Sequence, residues 1–333
     1  MGKYKTQLIG LFGILVSVAS IAYLMQKVDF SAAFAAMGKI NWAYPLLMVA
    51  IYLTSFLVRT WRWQLMLSNF PEISFRKFFN SLIIGFAGNN LVPARGGEVI
   101  RMFYFSRETK VNKFTSMSSV LTEKILDGLA LVMLLLLSIW LAGDQLAAND
   151  WLAGLTYLVT AIFVGGILGL IVLRVVGMPL INWARAKEGV FAKLADIAEK
   201  ILHATEFLQA DFKSVLVILS SLLVWTIEGV VFTLGMIAFD LPVDPWIAGF
   251  LTLTVVNFGL LVPSSPGYVG VFQMLTAMAL SLFGIAKEPA VAVSLVVHAC
   301  QFVPITIWGV VIILRQSVSL FAKPEAVPAV NEH

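Results

Sequence analysis

A few ionisable side chains lie inside otherwise apolar stretches, and they cluster. Arg95, Glu98 and Arg101 follow the interruption Val92-Pro93-Ala94-Arg95-Gly96-Gly97, and Glu123, Lys124 and Asp127 lie on the next apolar run. Glu228 falls in the middle of a later run and His298 inside the last. A charge at the centre of a bilayer costs at least about 2.5–3.5 kcal/mol on insertion scales, so such residues are functional candidates by default. Glu123 and Asp127 are four apart and share a helix face. The chemistry they suggest is recognition of a lipid headgroup. Arginine holds a phosphate bidentately, and a helix start beside Gly96 and Gly97 adds exposed N–H groups and partial positive charge. The carboxylates Glu98, Glu123, Asp127 and Glu228 then balance an amine, conduct protons, or pair with Arg95.

Some of these positions carry a second reading. Arg101 either belongs to the site or lies at the cytoplasmic side on the return limb of its hairpin. Lys124 either serves the site or neutralises Asp127 one turn on. His298 either carries protons or is a hydrogen-bonded packing residue. Arg59 and Arg62 read as snorkelling side chains, with Trp61 and Trp63 as interfacial anchors.

The elements that must position these groups follow from composition. Of 333 residues, 59% are apolar and 13% are charged, against about 25% charged in soluble domains; a soluble enzyme is excluded. The net charge of +4 reads as a topology signal, because no basic stripe of the kind that binds nucleic acid is visible. The lone Cys300 sits in an apolar run and reads as a small core residue. No metal cluster or cofactor motif is present, and no Walker-type run that would bind ATP.

Spans of about 20 apolar residues are expected near 7–25, 43–66, 115–140, 152–173, 213–239 and 289–314. Two more stretches, 78–105 and 246–284, are each interrupted, the second at Val262-Pro263-Ser264-Ser265-Pro266-Gly267. Proline removes a backbone donor and glycine loosens a helix, so each is expected to be a helical hairpin, re-entrant or doubly spanning. The first segment is too long for a signal-peptide core and reads as an uncleaved span. The expected fold is an all-α polytopic membrane protein of about six spans plus two hairpins in a single domain, 1–320. A disordered tail is expected over 321–333, and an amphipathic interfacial helix over about 180–210. Counting Lys and Arg puts both termini in the cytoplasm, with Arg62 and Arg101 among the cytoplasmic charges. Val92-Pro93-x-x-x-Gly97-x-Val99 lines up with Val262-Pro263-x-x-x-Gly267-x-Val269. The order span, span, hairpin, span occurs twice, over 6–140 and 152–315; with three spans per half, the copies are inverted. Broken helices at matching places point to a binding site between repeats, and non-helical backbone in a membrane must line a cavity or be buried in protein.

Asn89-Asn90-Leu91-Val92-Pro93-Ala94-Arg95-Gly96-Gly97-Glu98-Val99-Ile100-Arg101, Glu123-Lys124-Ile125-Leu126-Asp127 and Pro263-Ser264-Ser265-Pro266-Gly267-Tyr268-Val269-Gly270 together resemble the flippase-like family, also called the lysylphosphatidylglycerol synthase transmembrane region. The resemblance covers nearly the whole chain. It includes the membrane half of the multiple peptide resistance factor, associated with translocating aminoacylated phosphatidylglycerol; other relatives are linked to polyprenyl-linked sugars and hopanoids. On matching positions it implies roles for Arg95, Gly96, Gly97, Glu98, Arg101, Glu123, Asp127, Pro266 and Gly267. The full-length synthase has a large soluble C-terminal domain absent from this sequence, so aminoacyl transfer is not expected.

The expected function is therefore a lipid translocase of the inner membrane, not an enzyme, moving a phospholipid or lipid-linked headgroup through a polar cavity. Substrate binding is expected at Arg95, Gly96, Gly97, Glu98, Arg101, Pro266 and Gly267, and intramembrane polar or proton-coupling roles at Glu123, Asp127, Glu228 and His298. Expected partners are membrane lipids, with a second copy of the chain or a separate lipid-modifying enzyme. The alternatives are a membrane enzyme using Glu123, Asp127 and His298 as acid–base groups, or a scaffold for a separate synthase or glycosyltransferase.

Overall fold

The computed structural model describes residues 3–70, 72–92, 96–143, 146, 149–187, 189–192, 195, 199, 212–262 and 264–316. Arg95, most of the expected interfacial helix and the tail lie outside these residues. The described chain is helical: α1 (Lys3–Lys27), α2 (Phe30–Met37), α3 (Ala43–Met66), α4 (Phe75–Leu91), α5 (Gly97–Thr109), α6 (Lys113–Ala142), α7 (Asp150–Arg185), α8 (Phe212–Ala238), α9 (Pro245–Gly259), α10 (Val271–Ser281) and α11 (Lys287–Gln316).

Local chemistry sets the boundaries. Asp29, Asn112, Asn149 and Asp244 each accept backbone N–H groups at the start of α2, α6, α7 and α9, satisfying donors a helix start leaves orphaned. Asp29 also explains a feature absent from the sequence reading: the helix restarts there, and α2 turns 88° from α1. α3, α6, α8 and α11 are long and apolar enough to cross a membrane, and the bent α1–α2 pair would add a fifth. Apolar side chains on α7, including Tyr157, Leu158 and Ile162, face outward, as a lipid solvent requires. The expected span over 152–173 falls inside α7. That helix runs on to Arg185, through the point where a separate interfacial helix was expected to begin.

Both interrupted stretches are helix–break–helix units. At the first, Val92 is extended after α4 and α5 restarts at Gly97. At the second, a 3₁₀ turn spans Pro266–Tyr268, with Gly267 at φ 67°, Tyr268 at φ 58° and Gly270 at φ 85°. α4 lies against α5 and α11, α9 against α6 and α8, and α10 against α11, while α3 and α8 pack together at the centre.

Small residues let the first hairpin close. A Cβ on Gly97 would collide with the Gly85 carbonyl and the Asn89 backbone, and one on Gly85 would come within 2.7 Å of the Arg101 Cβ. Backbone meeting backbone cannot give way as a side chain can. Gly97→Ala is therefore expected to destabilise the protein by about 1–3 kcal/mol. Gly154→Ala, with nothing within 4 Å of the new Cβ, should be neutral or stabilising. Equilibrium unfolding in detergent compares the two, and equal effects would discount the hairpin packing.

Candidate functional site: a cavity between two helix breaks

α3 carries Arg59 and Arg62 on one face, α5 carries Arg101, α6 carries Glu123 and Asp127, and α8 carries Glu228. These six form an alternating chain of opposite charges. Both guanidinium N–H groups of Arg101 reach Glu123 at 3.0 Å. Glu123 lies 3.6 Å from Arg62, which donates to Asp127 at 2.6 Å and to Ser221 at 2.7 Å. Asp127 lies 3.5 Å from Arg59, which in turn donates to Glu228. All six are almost wholly buried. Aromatic rings lie on two of the cations: Trp63 lies 3.8 Å from the Arg101 guanidinium carbon, and Phe86 and Trp225 lie on Arg59 at 5.3 and 5.1 Å.

This network corrects several expectations. Arg59 and Arg62 do not snorkel, being 2% and 0% exposed. Arg62 and Arg101 therefore leave the topology count. Trp63 is no interfacial anchor: it is buried and donates to Ser119 Oγ at 2.9 Å. Lys124 does not neutralise Asp127. It pairs at 2.8 Å with Glu98, at the start of α5, and Glu98 also receives a long hydrogen bond from Asn89.

Above the network is a cavity of about 390 Å³. Arg59, Asp127 and Glu228 form part of its wall, Glu98 and Lys124 another, and Tyr268, His298, Gln301 and Phe302 a third. Aromatic rings from Tyr52, Phe86, Phe163, Trp225, Phe258 and Phe272 fill in between. Phe163 enters from α7 over Gly128, where a Cβ would overlap its ring.

The two breaks meet at this cavity. Asn90, ending the first limb of one hairpin, donates to Thr306 Oγ1 at 2.8 Å on α11. Its carbonyl lies 3.5 Å from where a Gly267 Cβ would be, and Phe302 lies 2.7 Å from the same point. The second break is held by the same helix. His298 stacks on Phe272 at 4.4 Å, and its Nδ1 faces Gln273 Nε2 at 3.1 Å. Gln273 Oε1 accepts the Gly270 N–H at 2.7 Å. On the far side the Ser265 N–H donates to Ser17 Oγ of α1.

Of the expected site residues, Glu98, Asp127, Glu228 and His298 line the cavity. Arg101 and Glu123 lie behind it as a buried pair. Gly97 closes the hairpin, Gly96 caps α5, and Pro266 and Gly267 shape the 3₁₀ turn. Sequence reasoning gave no role to Asn89, Asn90 or Trp225 and misplaced Arg59. Charge matching could have pointed to it, since the carboxylates Glu98, Glu123, Asp127 and Glu228 outnumber the cations Arg95, Arg101 and Lys124. Among the described residues, no group of three His, Cys, Asp or Glu could hold a metal ion.

Removing one partner of a buried pair leaves an uncompensated charge, at a cost of about 3–5 kcal/mol, whereas removing both is often nearly neutral. Arg101→Leu is accordingly expected to destabilise by that amount, and Arg101→Leu with Glu123→Leu by clearly less. Unfolding in detergent measures both; strict additivity of the two single changes would break the argument.

The chain is a multi-pass membrane protein. It is 24% identical, over 92% of its length, to a protein named glycosyltransferase AglD from Haloferax volcanii, and spans about half (54%) of that relative. No solved structure matches it. Residues 10–309 match the family described as the Lysylphosphatidylglycerol synthase TM region, to which the chain belongs.

Proposed function

We propose that the protein translocates a membrane lipid, passing its headgroup through the cavity between the two breaks while the acyl chains stay in lipid. The carrying observation is that both breaks converge on one cavity rimmed by charged and amide side chains. A headgroup crossing hydrocarbon loses its hydration, as any buried polar or ionic group does; a walled polar cavity removes most of that cost.

The packing supports two inverted halves. Exchanging α3 with α8, α4 with α9, α5 with α10 and α6 with α11 turns each contact among these helices into another that is also made: α4–α11 becomes α9–α6, and α3–α11 becomes α8–α6. Such exchange of equivalent elements is the frame on which alternating access is built in other transporters. The lysine- and arginine-rich segments favour cytoplasmic termini in an inner membrane, even without Arg62 and Arg101. An acid–base role is disfavoured because Glu123, Asp127 and Glu228 each face a guanidinium. The family and the glycosyltransferase-named relative support a lipid-linked headgroup as cargo.

Reconstitution tests this reading. In liposomes carrying fluorescent phospholipids, the wild-type protein should speed exposure of the inner-leaflet dye to an external quencher. Gln301→Trp, which fills the cavity, should lower the rate at least about tenfold, and Tyr157→Phe on the outer face of α7 should not. Wild-type rates equal to empty liposomes for every lipid class tried, or chemical conversion of the lipid, would overturn it.

A further inference from the structure

Charged groups at the cavity wall fall into two kinds. Arg59 is 2% exposed, held by Asp127 and Glu228, and sandwiched between Phe86 and Trp225. Nothing entering the cavity can take it without stranding a buried carboxylate. Lys124 is different: its side chain is 38% exposed, and the ion pair it makes is with Glu98, itself 22% exposed. An ammonium has three donors, so its hydrogen bond to Glu98 leaves capacity directed at the cavity. Nearby, the Trp225 indole N–H is buried and meets no acceptor among the described residues, although Trp225 lines the same cavity. The indole is a donor only, and a buried unpaired donor is costly. Lys124 and Arg59 lie 5.7 and 5.3 Å from the Phe86 ring, which joins their two parts of the wall.

We propose that Lys124 is the anion ligand of this cavity, exchanging Glu98 for the phosphate of a lipid headgroup, with Trp225 donating to the same headgroup. The inference rests on the translocase reading and names the side chains that take the headgroup. Phosphate fits because it offers several acceptor oxygens and a negative charge, matching a point cation and an indole donor. Glu98 serves as the resident counter-ion, keeping Lys124 paired when the cavity is empty. Exchange makes the two partners unequal: loss of Lys124 removes the ligand, whereas loss of Glu98 removes its competitor. A purely structural salt bridge has no such asymmetry.

The test is equilibrium binding of radiolabelled dioctanoyl phosphatidylglycerol to the full chain in detergent, for wild type, Lys124→Gln, Lys124→Arg, Glu98→Gln and Arg95→Gln. Lys124→Gln should weaken binding by about tenfold or more, Lys124→Arg should recover most of it, and Glu98→Gln should tighten it. Dioctanoylglycerol, lacking the phosphate, should not compete. Competition by millimolar inorganic phosphate alone would assign the site to free phosphate and overturn the lipid source. Equal weakening by Lys124→Gln and Glu98→Gln would reduce the pair to structure. Loss on Arg95→Gln with none on Lys124→Gln would move the ligand to Arg95. Should Lys124→Gln fail to fold, Lys124→Arg and Glu98→Gln still decide by the sign of the Glu98→Gln effect. The two readings fail separately: phosphate-lipid binding through Lys124 without translocation removes the function, and translocation with binding indifferent to Lys124 removes the ligand.

Discussion

The alternating row of three guanidinium groups and three carboxylates is the constraint on which the rest of the structure depends. Each charge alone is too costly to bury, and each is tolerable because one or two opposite charges beside it compensate it, with the Trp63 ring also on Arg101. The members come from α3, α5, α6 and α8, so the row fixes the relative placement of helices from both halves of the chain. Between lipid-exposed helices the hydrophobic effect offers little directional force, since lipid tails are as apolar as leucine. Charge pairing and close small-residue packing supply the specificity instead, and Gly85, Gly88 and Gly97 let the first hairpin close on itself.

Upon this fixed base the cavity is a softer structure. Its wall mixes groups committed to the row, such as Arg59 and Asp127, with groups whose partners are exposed, such as Glu98 and Lys124. The breaks that open it are held by neutral hydrogen bonds. Asn90 reaches Thr306, and Gln273 joins His298 to the Gly270 backbone. The division is physically sensible, because ion pairs deep in protein are costly to separate and neutral hydrogen bonds are worth about 1 kcal/mol each.

Much of this was legible in the chain. Long apolar runs locate α3, α6, α8 and α11 because a bilayer demands their length. Pro and Gly locate both breaks because they deny the helix a donor or its rigidity. What escaped is what depends on partners far apart in sequence. Arg59 and Arg62 look like snorkelling residues when read beside Trp61 and Trp63; their carboxylates lie 61 to 169 positions away. Lys124 is three residues from Asp127 yet pairs with Glu98, since the hairpin's return limb brings α5 across its face. The 88° turn at Asp29 was not read from the chain, and it goes with the packing of α2 on α11.

α11 deserves a mechanical reading. It holds the first break through Thr306 and the second through His298, a little over two turns apart on one helix with Pro304 between them. Neither edge of the cavity can part from that helix without losing a specific hydrogen bond. The two breaks are thereby tied to a common helix, and the shape of the cavity's rim becomes a property of the whole molecule rather than of either hairpin.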